Sequence, residues 1–122
     1  MRGKVELYYL PFALTTYIPT TPENIETVTR GSIELEGGNP AGREIVCTLK
    51  GAATGKFHSD RVRLKVVLPD KQIILVDSNG GVLASDGERK LDPNQVEKIE
   101  RLIQQNRGYS FPWEQQQGTA PR

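Results

Sequence analysis

The chain has 122 residues, a length that suits one hydrophobic core and not two. Sixteen Lys and Arg against fifteen Asp and Glu leave a formal charge of +1, so no global field draws the protein to nucleic acid or anionic lipid. Apolar residues at 36% and charged residues at 25% exclude a disordered chain, and no apolar run approaches the roughly 18 residues that a membrane-spanning helix needs.

At the N-terminus Val5, Leu7 and Tyr9 alternate with Lys4, Glu6 and Tyr8, the period of a strand with one buried face, and Pro11 ends it. Glu6 and Pro11 also interrupt the apolar run, so it reads as a core strand and not as a signal peptide. Residues 19–24, rich in Thr and Pro, read as a loop in which Thr21 can cap one helical turn with Pro22 at its first position. Ile33 and Leu35 then alternate with Ser32, Glu34 and Glu36 in a second strand, stopped by Gly37-Gly38.

Asn39-Pro40 opens a short helix whose Ile45, Val46, Leu49 and Ala53 share one face. Cys47 lies within it and is expected to be a small buried packing residue. As the single cysteine it forms no internal disulfide, and a reducing, cytoplasmic setting is the expectation. Residues 51–59 read as a loop.

Val62, Leu64, Val66 and Leu68 alternate with Arg61, Arg63 and Lys65, and Pro69-Asp70 turns the chain into the apolar run 72–76, giving an antiparallel hairpin. The second strand of that hairpin is apolar on both faces, which predicts a central position in the sheet or cover on each side. Turn signals at Asn79-Gly80-Gly81 and Ser85-Asp86-Gly87 flank a short strand at 82–84, and the meander continues towards Leu91. Asp92 caps the last helix, Pro93 fits its first position and Gln95 completes a capping box. Val96, Ile99, Leu102 and Ile103 form its apolar stripe, with Glu97, Lys98, Glu100 and Arg101 on the wet side, and residues 106–108 close it. The expected fold is α+β over residues 1–108: two layers, a mostly antiparallel sheet of about five strands with two helices on one face. A polar tail follows at 109–122.

None of the short motifs carries a known chemistry. The run from Gly51 to Phe57 superficially resembles a phosphate-binding loop, but three residues separate its glycines and Phe57 stands where a hydroxyl would hold magnesium. His58-Ser59-Asp60 holds the residue types of a hydrolytic triad, yet consecutive side chains do not converge as that chemistry requires. His58 and Cys47 are the only residues of their types and lie eleven positions apart, so no cofactor or metal site is expected. Paired carboxylates leave a small hydrolase or lyase as one alternative, and a subunit that assembles with its own copies as another.

Charge placement has two readings, a solvated sheet face whose charges compensate across neighbouring strands and a recognition surface. Glu6, Glu34 and Glu36 share the outward parity of the first two strands, and Arg61, Arg63 and Lys65 that of the third. The basic stripe is the expected contact for an acidic protein partner, with Glu34 and Glu36 beside it. Aromatic residues are not interleaved with that stripe, which argues against nucleic acid. In the tail, Tyr109, Phe111 and Trp113 form the second contact candidate.

Arg-Val-Arg-Leu-Lys-Val-Val-Leu at 61–68, a tight turn, Ile-Ile-Leu-Val-Asp-Ser-Asn-Gly-Gly-Val at 73–82, then Leu-Asp-Pro before an amphipathic helix together resemble the layout of small α+β immunity proteins of bacterial toxin–immunity systems. The resemblance spans about a third of the chain and rests on style of sequence, with no shared functional motif from which to assign a residue. It implies a cytoplasmic, non-catalytic protein that inhibits a cognate toxin by surface complementarity.

Overall fold

Alternating strands assemble one sheet, seen in a computed structural model that describes residues 3–12, 19–29, 33–36 and 39–106. The strands are β1 (Lys4–Tyr9), β2 (Ile33–Glu36), β3 (Ala53–Thr54), β4 (Val62–Val67), β5 (Ile73–Asp77), β6 (Gly81–Ala84) and β7 (Gly87–Lys90). The helices are α1 (Ile25–Thr29), α2 (Pro40–Lys50) and α3 (Pro93–Asn106). The sheet order is β2-β1-β4-β5-β6-β7-β3, and every pairing of these strands is antiparallel.

The α+β class is as expected, but seven strands replace about five. β7 continues the meander, and β3 adds two residues, Ala53 and Thr54, to its free edge opposite Lys90 and Arg89. Two residues are too few to show a period, so the sequence reads them as loop, and Ala53, expected on the apolar face of the helix from Pro40, instead lies exposed in β3 because that helix ends at Lys50.

The principal core lies under one face. Val5, Leu7 and Tyr9 of β1, Leu64 and Val66 of β4, and Ile74 and Val76 of β5 meet Ile45, Val46 and Leu49 of α2 and Ile99 and Ile103 of α3. Asn39 caps α2, its Oδ1 accepting the Ala41 amide at 2.7 Å, and α3 begins with the expected box, Asp92 N–H to Gln95 Oε1 at 2.9 Å and Gln95 N–H to Asp92 Oδ1 at 2.8 Å. α3 is pinned to the sheet by Glu100, whose Oε2 accepts the hydroxyl of fully buried Tyr9 at 2.7 Å and the Phe12 amide at 2.9 Å. Glu100 is therefore half-buried and bonded, not a wet-face residue.

The two expected helices share this face, while α1 lies on the other. Thr21 and Asn24 exchange backbone-to-side-chain hydrogen bonds at 2.8 and 3.3 Å and start that short helix. Its Ile25 packs on Val62 and Leu75, and Leu75 points opposite to its neighbours Ile74 and Val76. A β-bulge between Val62 and Leu64 makes this possible. The extra residue turns Val62 away from the parity of Leu64 and Val66, so the uninterrupted alternation read from the sequence does not hold at that end of β4. Cys47 is exposed rather than buried, because α2 buries Ala41, Gly42, Ile45, Val46 and Leu49, and position 47 falls on the opposite side of the helix.

Candidate functional site

The second face of the sheet is only partly covered. α1 packs against β1 and β4, and the chain around Phe57 crosses β6 where Gly81 lets it approach closely. Between them an open groove of about 480 Å³ is lined by Pro22, Glu23, Lys65, Ile73, Leu75 and Leu83, with Ala84 and Ser85 at its end. Ile73 is 43% and Leu83 36% exposed, the two large apolar side chains most open to solvent among the described residues. Register places them diagonally in adjacent rows: Lys65, Leu75 and Leu83 stand opposite one another in one, Val67 and Ile73 in the next.

The charged candidates distribute differently from the sequence expectation. Arg61 is exposed and its backbone bridges Thr20, but Arg63 is only 6% exposed and its Nη1 donates to the Val62 carbonyl at 3.1 Å. Burial, followed by the neighbouring Arg61 charge, lowers the Arg63 pKa, with Asp77 opposing both. Arg63 thus leaves the solvent-facing stripe, buried at the bulge between Val62 and Leu64. Lys65 is half-buried and committed locally, its Nζ 2.6 Å from Glu26 Oε2 and 6.0 Å from the Tyr8 ring centre. The anticipated basic stripe is therefore not a continuous surface.

Glu34 and Glu36 do not meet the bases of β4, since β1 stands between β2 and β4. Glu34 is bonded to Lys4 at 3.2 Å, Glu36 opposes Lys4, and Glu6 directly opposes Glu34. The Glu34 hydrogen bond and charge raise the Lys4 pKa. Tyr109, Phe111 and Trp113 lie outside the described residues.

His58 has a partner that the sequence did not suggest. Its Nδ1 lies 3.3 Å from Oδ2 of fully buried Asp77, which also accepts the His58 amide at 2.7 Å, while Oδ1 accepts the amides of Asn79 and Gly81, each at 2.8 Å. Beside this contact the carboxylate accepts from three backbone N–H groups. The pair ties the segment before β4 to the β5–β6 turn. Among the described residues no hydroxyl or thiol is hydrogen-bonded to His58, so the nucleophile–base contact of a triad is missing there. Asp60 plays no part in this arrangement, and Asp77 could have been suspected only as the aspartate that opens an Asp-Ser-Asn-Gly turn.

Two further hollows flank α2, one beside Pro40, Arg43, Glu44 and Cys47 and one beside Asn39, Ala41, Leu102 and Gln105. Neither these nor the groove brings two carboxylates together. Among the described residues no three His, Cys, Asp or Glu side chains cluster as metal ligands, and no helix is long and apolar enough to cross a membrane. The segment from Gly51 to Phe57 presents no phosphate cradle: it contains β3, and its Phe57 amide is already bonded to Glu88 at 2.9 Å.

Compared with protein-family models, with curated proteins and with solved structures, the chain finds no significant match in any of the three.

Proposed function

We propose that the chain is a non-catalytic protein-binding module that docks a partner on the helix-poor face of its sheet, and that it acts as an immunity protein inhibiting a bacterial toxin. The observation that carries the binding reading is the groove over β5 and β6, where central strands of the sheet leave Ile73 and Leu83 open to water. Full burial of an exposed side chain of this kind is worth about 1.5–3 kcal/mol, of which the 43% and 36% still open here leave less than half to a partner, and central apolar residues ringed by polar ones are the usual energetic centre of an interface. The toxin assignment rests on the resemblance of residues 61–103, and the partner surface on the groove. Arg61 remains an exposed rim candidate, and Glu34 and Glu36 lie on the same face of the sheet.

The test is capture from native lysate with the intact protein and with Leu83→Asp. One partner recovered in stoichiometric amount by the parent and lost by the variant, with thermal unfolding of the variant unchanged, supports the reading. A captured toxin whose activity falls on equimolar mixing supports the inhibitory role. Recovery of the protein alone, or equal capture by both forms, rejects the groove as the docking site. Concentration-dependent light scattering separates self-assembly through the same surface.

A further inference from the structure

The groove lies over strands whose backbones are already satisfied. β5 pairs with β4 and β6, and β6 with β5 and β7, so an extended peptide would find no free ladder of donors and acceptors there. A helix bonds its own backbone and can rest on a sheet face. α1 already does so beside the groove, with Ile25 on Val62 and Leu75 and its lead-in residues Pro22 and Glu23 forming the groove wall. The layer that α1 begins is left unfinished over β5 and β6.

Charge on this face departs from that of the chain. On β1, β2 and the α1 segment, five carboxylates, Glu6, Glu23, Glu26, Glu34 and Glu36, stand against one ammonium group, Lys4, with Lys65 of β4 and the exposed Arg61 beside them, although the whole chain is at +1. Lys4 is held by Glu34 and Lys65 by Glu26. Glu6, Glu23 and Glu36 have no ion-pair partner of their own among the described residues. Glu6 and Glu34 oppose each other directly across the ladder, a like-charge pairing that Lys4, bonded to Glu34 at 3.2 Å, offsets only in part. The register connects these acids to the apolar groove in one row: Glu34 opposes Glu6, Glu6 opposes Val67, and Val67 opposes Ile73. Adjacent strands are about 4.8 Å apart, close to the 5.4 Å pitch of a helix. A helix laid across the strands meets Ile73, Val67, Glu6 and Glu34 at roughly one turn per strand.

We infer that the partner presents a basic amphipathic helix to this face, with its apolar stripe on Leu83, Ile73 and Val67 and Lys or Arg of its following turns beside Glu6 and Glu34. This rests on the protein-binding reading and reverses the sign of the partner that the sequence suggests.

Two synthetic peptides of about 15 residues, long enough to form helix on a surface, share one leucine stripe; one carries Lys at the positions that reach β1 and β2, the other Glu. Methyl chemical shifts of the intact protein report binding. The Lys peptide should shift Val67, Ile73 and Leu83, bind about tenfold more tightly than the Glu peptide, and lose that advantage at high salt and in the Glu6→Gln, Glu34→Gln double variant. Equal affinity for the two peptides, shifts centred elsewhere, or binding by neither overturns the inference. If the native partner is nevertheless captured in a Leu83-dependent way, the binding reading survives this failure; if it is not, both fall.

Discussion

At the scale of single residues, two arginines two positions apart occupy opposite environments. Arg61 is exposed, while Arg63 is buried near Asp77 with its own pKa lowered by desolvation. Arg61→Glu should change unfolding free energy by less than about 0.5 kcal/mol, the usual range for an exposed site. Arg63→Glu places a second buried carboxylate beside Asp77 and should cost about 3–5 kcal/mol, read from the urea midpoint. Equal effects of the two substitutions would mean that the bulge does not divide them. Gly81 gives a second residue-scale prediction. A Cβ there would strike the Lys56 carbonyl oxygen and approach Asp77 Oδ2 to 2.5 Å and Phe57 Cα to 2.9 Å. Most of these neighbours are backbone, so Gly81→Ala should destabilise by about 2–3 kcal/mol, and full stability of that variant would contradict the close crossing of the Phe57 segment over β6.

At the scale of elements, the β6–β7 turn carries a titratable tie. Asp86 accepts from Arg89 Nη2 at 2.6 Å, and this hydrogen bond, with the Arg89 charge, holds its pKa below the ordinary 3.8. Because the folded value is depressed, the stabilisation is complete above 3.8 and fades as pH falls through the lower folded value. Asp86→Asn should therefore be less stable than the parent near neutral pH, with the gap closing in acid. A gap that widens on acidification would contradict the pairing. The elements that sequence makes legible are those with local chemistry of their own: the Asp92–Gln95 box of α3, Asn39 before α2, and the single-parity alternation of β1 and β2. The others depend on partners distant in the chain. β3 exists because β7 offers an edge, and Glu100 leaves the solvent-facing side of α3 because Tyr9 raises a hydroxyl to it. At the bulge in β4 Val62 packs against Ile25, a residue distant in the chain. No window of local sequence contains that contact.

At the scale of the whole molecule, the sheet order decides what the charges do. With β1 between β2 and β4, Glu34 and Glu36 cannot neutralise a basic stripe on β4, and the face becomes acidic beside an apolar groove. The candidate residues Glu34, Glu36 and Lys65 were visible in the sequence through strand parity, but Ile73 and Leu83 were visible only as members of apolar strands whose second face had an unknown cover. What distinguishes them is that α1 packs on β1 and β4, reaches β5 through Ile25 on Leu75, and leaves Ile73 and Leu83 open.

The central claim, that this uncovered face binds a partner, is tested most directly by photo-crosslinking in living cells from a photo-reactive amino acid placed at position 83, with position 47 on the exposed side of α2 as the control. A single discrete adduct from position 83 and none of that mass from position 47 is the predicted result. No adduct from position 83, or the same adduct from both positions, would contradict the claim.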